Sequence, residues 1–308
     1  MLDVRRMRVL REVAIQGSMS GAADALGYTA SAISQQVAAL ERETGIALVE
    51  RGPRSVILTD AGRALVEHTE AVLAQLDHAE EEMRAIAGLR GGRVRIGTFR
   101  SAAETIVADA IAHFHDRFPA VELTLTEGEP EHYLPRLAAG ELDLATTFEY
   151  DHVTALERRN LELELLLEEP MWLAVPRDHA AAARGSTELA ALADEPWIGS
   201  TPRSSVHDFT PNACRAAGFE PRFAAQTDDY HVCQALVASG LGVAFIPGLS
   251  LRTRHPEIAV LRVEPPAPMR RIFAAHRPGA DSSPALAAML AVLRVVAADQ
   301  LTAEPTRG

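Results

Sequence analysis

This chain contains no lysine, and all 30 of its lysine or arginine positions are arginine. The chain therefore has no phosphate-loop lysine, no Schiff-base lysine and no serine–lysine dyad. P-loop phosphoryl transfer and imine chemistry on a lysine are excluded on this ground. A GC-rich coding bias produces such a composition, so the lack of lysine does not indicate functional selection for arginine.

Cysteine is scarce, and the sequence has neither a long apolar run nor a secretory signal. The two cysteines, Cys214 and Cys233, cannot make a disulfide framework. No stretch of about 18 apolar residues occurs, so we expect a cytoplasmic protein without a membrane span. The histidines are scattered, and His113 and His115, two apart on a predicted helix, do not share a face. We expect no metal and no cofactor.

Acidic residues outnumber basic ones, and the net charge is −12. Residues 1–62 carry seven arginines (5, 6, 8, 11, 42, 51 and 54) and seven acids (3, 12, 24, 41, 43, 50 and 60), so the whole deficit lies downstream. An acidic body disfavours diffuse attraction to nucleic acid. Any contact with DNA would therefore depend on locally placed arginines.

Residues 1–62 have the pattern of short helices followed by a basic hairpin. After a first helix near 4–15, Ser20 is predicted to cap a second helix that Gly27 ends. Thr29 is predicted to cap a third helix that runs to Thr44 and ends at Gly45. Small residues stand where the second and third helices must cross closely.

The third predicted helix has an apolar face and a polar face. Ile33, Val37 and Leu40 recur at helical spacing and should face the core. The opposite face is polar and has no carboxylate in its first two turns, which is typical of a helix lying in a DNA major groove. The candidate DNA-binding residues are Ser20, Thr29, Ala30, Ser31, Ser34, Gln35, Gln36, Arg51 and Arg54.

Residues 48–58 are predicted to form a two-stranded wing that turns at Gly52-Pro53. Arg51 and Arg54 flank this turn, and guanidinium groups can hold phosphate oxygens in a bidentate manner. The alternative is that both arginines are ordinary solvated loop charges.

A long helix is predicted over residues 59–89. Apolar or small side chains recur at alternating spacings of four and three, which is the narrow seam of a coiled coil. They are Leu65, Thr69, Val72, Leu76, Ala79, Met83 and Ile86. This seam would join two copies of the chain into a homodimer and present two heads to one palindromic DNA site. The alternative is a helix packed on its own domain.

Strands and helices alternate from residue 90 to 308, which predicts an α/β fold with a doubly wound, mostly parallel sheet. We expect a first lobe of residues 93–162 and 269–298 and a second lobe of 163–268. Short strands are predicted at 165–167 and 171–175, and Thr187 is predicted to cap a short helix. Two lobes joined by two crossovers resemble a periplasmic-binding-protein clamshell.

Three polar segments should face the cleft between these lobes, because ligands of open α/β sheets lie at the carboxyl ends of strands near helix N-termini. The candidate effector-binding residues are Thr98, Phe99, Arg100, Ser101, Phe148, Ser200, Arg203, Thr227, Asp228 and Tyr230. Arg100 and Arg203 near the cleft mouth indicate an effector with a carboxylate. The alternative for each serine and threonine is ordinary helix capping.

The N-terminal pattern also resembles that of the LysR-type transcriptional regulators. The matching fixed points are Ser18, Ala22, Ala23, Leu26, Ser34, Gln36, Leu40, Glu41, Gly45, Leu48, Arg51, Arg54, Leu58, Thr59 and Gly62. The resemblance implies a winged helix-turn-helix over 1–62, a dimerising linker helix over 59–89 and an effector-binding domain over 90–308. It further implies an interrupted palindrome as the DNA target and a dimer or tetramer. Ala30, Gln35 and Val49 depart from the family's common residues.

Two other functions stay open at this point. The same fold could be a small-molecule-binding or catalytic module with a vestigial head, but Asp228, Asp229 and His231 have no evident nucleophile nearby, and we expect no enzyme. Cys214 and Cys233 could form a redox pair, as in some peroxide-sensing members of the family. Buried free thiols are the alternative.

Overall fold

The computed structural model describes residues 2–51, 56–86, 92–155, 158 and 160–301. The chain divides into two compact units. The first comprises Met1–Gly92 with Pro135–Leu142, and the second comprises Arg93–Leu134 with Asp143–Gly308.

The first unit consists of three short helices, a two-stranded wing and a long fourth helix. The elements are α1 (Val4–Gln16), α2 (Met19–Leu26), α3 (Ala30–Thr44), β1 (Val49–Arg51), β2 (Val56–Leu58) and α4 (Asp60–Ile86). The Thr29 hydroxyl accepts a hydrogen bond from the amide of Ala32 at 3.2 Å, which confirms the predicted cap of α3. Gly27 and Gly45 end their helices in the left-handed conformation, as predicted.

The predicted cap of α2 is wrong by two residues. Ser18, which is extended, is the N-cap, and its hydroxyl oxygen accepts from the amide of Gly21 at 3.0 Å. Ser20 lies inside the first turn and is exposed. Two serines separated by one residue offer the same local signal, and the backbone turn after Gly17 selects the earlier one.

The core of the first unit accounts for part of the predicted coiled-coil seam. Leu10, Ile33, Val37 and Leu40 are fully buried, as the helical spacing predicted. Helix α4 packs on α1, where its seam positions Leu65 and Thr69 are buried within this single chain. The next positions, Val72 and Leu76, are exposed. The first turns of α4 therefore pack on their own domain, which was the alternative to a coiled coil. Further along the helix, the seam is exposed and could contact a second copy. The side chains of Met83 and Ile86 lie outside the described residues.

A tight joint connects the wing to α4. Thr59 donates its hydroxyl to the carbonyl of Ala47 at 2.8 Å, and its amide donates to the carbonyl of Leu48 at 3.0 Å. A Cβ placed on Gly62 would lie 2.0 Å from the Leu48 carbonyl oxygen. Glu41 holds the other side, because its Oε1 accepts from the amides of Leu48 and Val49 at 2.9 and 3.3 Å. The wing is therefore fixed to α3 through the Glu41 carboxylate and to the start of α4 through Thr59 and Gly62.

The second unit has the two-lobed α/β architecture that the sequence predicted. Its helices are α5 (Arg100–Ala102), α6 (Ala108–Arg117) after a π-helical turn, α7 (Pro130–Ala138, crossing into the first unit), α8 (Phe209–Ala216), α9 (Tyr230–Ala238) and α10 (Pro284–Leu301). Its strands are β3 (Gly92–Thr98), β4 (Val121–Glu127), β5 (Leu144–Tyr150), β6 (Glu162–Pro176), β7 (Ser186–Thr187), β8 (Pro196–Gly199), β9 (Arg222–Gln226), β10 (Ala244–Pro247), β11 (Ile258–Val263) and β12 (Met269–His276).

The strands form one extended sheet and one small pair. The extended order is β4-β3-β5-β12-β6-β11-β7, with β10 also on β6, and β8 pairs with β9. Strands β3 and β5 are parallel, whereas β12 runs antiparallel to both β5 and β6. The sheet is therefore mixed and not mostly parallel, because the chain returns to the first lobe in the opposite direction.

Strand β6 is one 15-residue strand where two short strands were predicted. Its first half, up to Pro170, pairs with β12, and the rest pairs with β10 and β11. Pro170 suggests a break because it has no amide hydrogen, but it falls where β6 changes partners, so its missing donor is tolerated. Strand β11 escaped prediction altogether. Thr187 lies in β7 and caps no helix, since the following 3-10 turn Leu189–Leu192 has no side-chain cap.

The two lobes share one hydrophobic core cluster, which includes Ile96 and Phe114 of the first lobe and Leu173 and Trp197 of the second. Trp197 is fully buried in β8 and stacks near Phe245 of β10, with ring centroids 5.4 Å apart. Within the described part of the chain, no helix has the length and apolar character needed to cross a membrane.

We predict that Gly62→Ala destabilises the first unit by about 1–3 kcal/mol, because its new methyl would overlap the Leu48 carbonyl. In a helix without this contact, replacing glycine by alanine would stabilise the fold by about 1 kcal/mol. A loss of stability would therefore show that the Leu48 carbonyl lies too close for a methyl group. Gly128→Ala is the control, since nothing lies within 4 Å of its Cβ position. Equal denaturant midpoints for the two variants would contradict this joint.

Candidate functional sites

Helix α3 presents an exposed polar face at its N-terminal half. Ala30, Ser31 and Gln35 are exposed and Ser34 is half-buried, so these predicted residues share one accessible surface. The first turn contains no acid. The predicted Gln36 differs, because its Oε1 accepts a hydrogen bond from Arg6 Nε at 3.3 Å. Gln36 is thus held toward α1, whereas Gln35 is available to an incoming molecule.

Two further residues belong to this face and escaped the sequence analysis. Tyr28, in the turn before α3, has 60% of its surface exposed. Arg42 is exposed seven residues after Gln35, which places both on one stripe of the helix. The seven-residue spacing was the available signal for Arg42, whereas an exposed aromatic before a cap has no local signature.

The wing is present as predicted, but its tip is not described. Strands β1 and β2 are antiparallel, and Val49 pairs with Leu58. Residues 52–55, with the predicted Arg54, lie outside the described residues, as does the side chain of Arg51.

A buried ion pair lies beneath the cleft between the two lobes. Arg270 of β12 has 1% of its surface exposed, and its Nε donates to Glu169 Oε1 of β6 at 2.6 Å. Arg270 Nη1 donates to the Ser101 hydroxyl at 3.1 Å and to the Tyr150 hydroxyl at 3.3 Å. Glu169 Oε2 accepts from the amide of Leu249 at 2.8 Å. One pair of side chains therefore joins the first lobe to the second.

The electrostatics of this pair are mutually supporting. Burial alone would lower the pKa of Arg270, but the adjoining Glu169 carboxylate raises it above its ordinary value. The guanidinium also lies over the rings of Phe99 and Tyr150, at 5.5 and 5.8 Å from their centroids. Arg270, Glu169 and Tyr150 could not be predicted from the sequence, because only the pairing of β5, β6 and β12 brings them together.

Aromatic rings fill the floor of the cleft. Phe99 and Phe148 pack edge to face with centroids 4.8 Å apart, and Phe148 packs in the same way on Tyr150 at 5.4 Å. Tyr150 then contacts Phe209 of the second lobe at 5.0 Å. The predicted Phe99 and Phe148 are thus brought together, on a path of rings that crosses from one lobe to the other.

The predicted hydroxyl groups of the first lobe are already engaged. Thr98 is fully buried, and its hydroxyl bonds with that of Thr146 at 2.8 Å. Ser101 is 5% exposed and accepts from Arg270, as described above. Thr98 therefore links the ends of β3 and β5, and Ser101 is bonded to the buried Arg270.

The rim of the cleft carries ion pairs and an excess of acids. Arg100 forms an ion pair with Asp229 of the second lobe and lies 3.8 Å from Glu127. Partial burial raises the pKa of Asp229, but the amides of His231 and Val232 and the Arg100 charge outweigh it, so the net shift is downward. Burial and then the charges of Glu131 and Asp228 raise the pKa of Glu129. Acids thus surround Arg100, so the carboxylate preference inferred from the arginines stays a prediction.

The remaining predicted residues line the second lobe's side of this rim. The Asp228 carboxylate accepts from the Thr201 amide at 3.0 Å, and the Thr227 hydroxyl accepts from the Asp229 amide at 3.2 Å. Ser200 is half-buried, and its carbonyl accepts from His207 Nδ1 at 3.1 Å. Arg203 is exposed and forms no ion pair within the described residues.

The lobes are closed on one another in this structure. The hydroxyls of Tyr150 and Tyr230 are 3.0 Å apart, and the Ser205 amide donates to Glu131 Oε1 at 3.1 Å. The space lined by Phe148, Tyr150 and Ser205 measures only about 10 Å³. These contacts hold the two lobes together beside the aromatic floor.

The cysteines and histidines offer little chemistry. Cys214 and Cys233 are both buried free thiols, and burial raises the pKa of each to about 12. At neutral pH neither is a thiolate, which disfavours the redox alternative. The fold brings His276, Glu162 and Asp281 within 4.8 Å, a grouping invisible in sequence spacing. Both carboxylates are exposed, and His276 Nδ1 donates to the Arg277 carbonyl at 2.9 Å.

Comparisons with known proteins find matches for both parts of the chain. A family model described as the LysR substrate binding domain matches residues 87–298. A second, the bacterial regulatory helix-turn-helix protein of the lysR family, matches residues 4–63.

Individual proteins match over nearly the whole chain. A probable hydrogen peroxide-inducible genes activator of Streptomyces viridosporus is 30% identical over 296 residues, covering 95% of this chain and 93% of that protein. The structure of a full-length OxyR variant from Pseudomonas aeruginosa has a TM-score of 0.68 at 21% identity, covering 96% of this chain and 98% of that one. Full-length CbnR complexed with its target DNA has a TM-score of 0.57 at 24% identity, covering 96% and 100%.

We predict that Arg270→Met destabilises the second unit by about 3–5 kcal/mol, because it leaves Glu169 buried without its cation. Arg271→Met is the matched control on the same strand. Arg271 is partly exposed and pairs with Asp151 at 2.9 Å, so its loss should cost below about 1 kcal/mol. Denaturant unfolding of the two variants measures the difference, and comparable losses would remove the distinction between the buried and the exposed pair.

Proposed function

The chain belongs to the LysR family of transcriptional regulators, and from that premise we propose how its parts divide the work. Residues 1–62 read DNA, residues 59–89 pair two copies, and residues 90–308 bind a small-molecule effector. The regulator acts in the cytoplasm, where the DNA lies. The observation that carries this proposal is the exposed, acid-free polar face of α3 beside a wing fixed to the same core.

Base reading is assigned to Ser31, Ser34 and Gln35, with Ala30 against the groove. A glutamine side chain can form two hydrogen bonds with adenine in the major groove. Arg51 and Arg54 hold the backbone, and Arg42 adds a phosphate contact at the far end of α3. CbnR, the solved relative with target DNA, has the same fold, which supports this docking.

Two copies meet along α4 in this proposal. Val72 and Leu76 are exposed on the helix beyond the part that packs on α1, so a partner helix can cover them. A two-fold pair of heads then reads an interrupted palindrome. Tetramers would be pairs of such dimers.

Effector control acts through the cleft. Opening it breaks the Arg100–Asp229 ion pair and the Tyr150–Tyr230 hydrogen bond, and an effector supplies new contacts to Arg100, Ser101 and the aromatic rings. The ligand then shifts the equilibrium between open and closed lobes by its differential affinity for the two. That shift alters the pairing of the heads on DNA.

We expect Gln35→Ala to reduce discrimination between selected and random DNA by about 1–3 kcal/mol, because it removes a base contact and no charge. The salt dependence of binding should not change. The DNA probes are genomic fragments enriched by the full-length protein, and binding is measured by fluorescence anisotropy across a salt series.

Gln36→Ala is the comparison variant. Its side chain is held by Arg6, so its loss of discrimination should be several times smaller. If Gln36→Ala lost as much as Gln35→Ala, the assigned reading face of α3 would be wrong. If the wild type enriched no fragment at any salt concentration, the DNA-reading proposal itself would fail.

We further expect the double change Asp229→Asn, Tyr230→Phe to open the lobes without ligand. Asparagine still caps α9, while the ion pair and the tyrosine hydrogen bond are lost. The loss of about 1–2 kcal/mol shifts the open–closed equilibrium roughly tenfold. Amide hydrogen exchange near Phe99 and Tyr150 should accelerate, and the DNA footprint should change.

Glu220→Gln is the control, because it removes an exposed ion pair with Arg215 away from the cleft. Faster exchange with an unchanged footprint would separate lobe opening from DNA binding and defeat the gating proposal. Unchanged exchange would mean that these two contacts do not hold the lobes.

A further inference from the structure

A ligand-sized cavity lies at the hinge between the lobes, and we call it the hinge pocket. It measures about 600 Å³ and is formed by β6 residues Leu167–Trp172, the turn at Gly248–Leu249 and the end of β11. Pockets that bind small molecules span about 300–1,000 Å³. None of the ten residues predicted to bind effector lines it. The hinge pocket is therefore a site separate from the cleft.

The hinge pocket has an apolar floor and one aromatic wall. Leu167, Met171, Leu249 and Val263 are buried beneath it. Trp172 is half-buried and forms part of the wall. Its indole N–H has no hydrogen-bond acceptor within the described residues, and a Cβ on Gly248 would lie 3.6 Å from that nitrogen. The same Cβ would lie 2.7 Å from Glu169 Oε2, so only glycine at this turn lets the Glu169 carboxylate and the Trp172 donor approach the wall together.

Charges at the rim balance one another. Arg262 lies over the Trp172 ring, with 5.5 Å from its guanidinium carbon to the ring centroid, and Arg252 pairs with Asp109 at 3.0 Å. Two acids face them: Glu264 accepts from the Ser186 hydroxyl at 3.2 Å, and Glu168 lies 3.9 Å from Arg271. The third lining acid, Glu169, is paired with the buried Arg270. The remaining two cations and two anions balance one another, which favours an uncharged ligand over a charged one.

We propose that the hinge pocket binds an uncharged planar aromatic molecule that carries a carbonyl acceptor. The ring packs on Trp172 and the apolar floor, and the carbonyl oxygen accepts the indole N–H. The ligand would also contact Leu249, whose backbone amide donates to Glu169 beneath the cleft. An influence on DNA binding would rest on the function proposed above, but binding itself does not.

The test is fluorine NMR line broadening of 4-fluorobenzamide titrated with the full-length protein. Saturable broadening is expected with the wild type. Trp172→Phe keeps a ring but loses the donor and should weaken binding several-fold, while Trp172→Leu should weaken it at least tenfold. Ala267→Phe, which fills the pocket from its rim, should weaken binding while Trp172 stays intact.

Leu125→Ala is the control for unspecific apolar contact, because it removes an exposed apolar side chain of β4 that lies outside the pocket. It should leave the broadening unchanged. The proposal is overturned if 4-fluorobenzamide does not bind, or if the Trp172 and Ala267 variants, folded by thermal melting, bind it like the wild type. Tighter binding of 4-fluorobenzoate would overturn the preference for an uncharged ligand. DNA affinity is not part of the readout, so a failed regulator proposal cannot be mistaken for a failed pocket.

Discussion

The buried pair of Arg270 and Glu169 is the interaction on which the effector unit depends. It joins β12 to β6 where the chain passes between lobes, and its outer hydrogen bonds reach Ser101 in one lobe and Leu249 in the other. An ion pair in such a setting contributes little net stability against an apolar replacement, but it is costly to break. It therefore fixes which backbone segments meet at the hinge, and the aromatic floor and the closed rim are arranged around it.

The two sites of the second unit share this pair without sharing residues on their surfaces. Arg270 bonds to Tyr150 and Ser101 at the cleft, and Glu169 bonds to Leu249, which lines the hinge pocket. Any opening of the lobes would have to rearrange the hydrogen bonds of Arg270 and Glu169, because an unpaired charge in an apolar interior is costly. In the proposed gating the open and closed forms would therefore be two discrete arrangements, which is what a two-state response requires.

Residues that mark helix ends locally predicted much of the fold. The pairing of distant strands has no such local mark, so it could not be predicted from the sequence. Thr29, Gly27 and Gly45 mark helix ends through their own side chains or backbone freedom, so the helices of the head were predictable within a residue or two. Ser18 and Ser20 carry the same signal, and only the path of the chain distinguishes them. Pro170 gave a false break in β6, because its tolerance depends on a change of partner strands.

The candidate sites divide in the same way. The polar face of α3 follows from helical spacing alone, whereas the hydrogen bond from Arg6 to Gln36 could not be predicted, because Arg6 comes from another helix. The cleft segments were predictable as strand ends, and Phe99 and Phe148 do meet there. Glu169 and Arg270 stand 101 residues apart and have no pattern of their own, so only strand pairing could bring them into view.

The contact of Gly62 with the Leu48 carbonyl has a mechanical consequence. Thr59 and Gly62 leave no slack between the wing and the first turn of α4, and Glu41 ties the wing to α3. These contacts therefore couple α3, the wing and the start of α4 into one rigid segment. In the proposed dimer, a rotation of α4 would therefore move α3 with it, and the angle between the two α4 helices would set the spacing of the two heads along a DNA duplex.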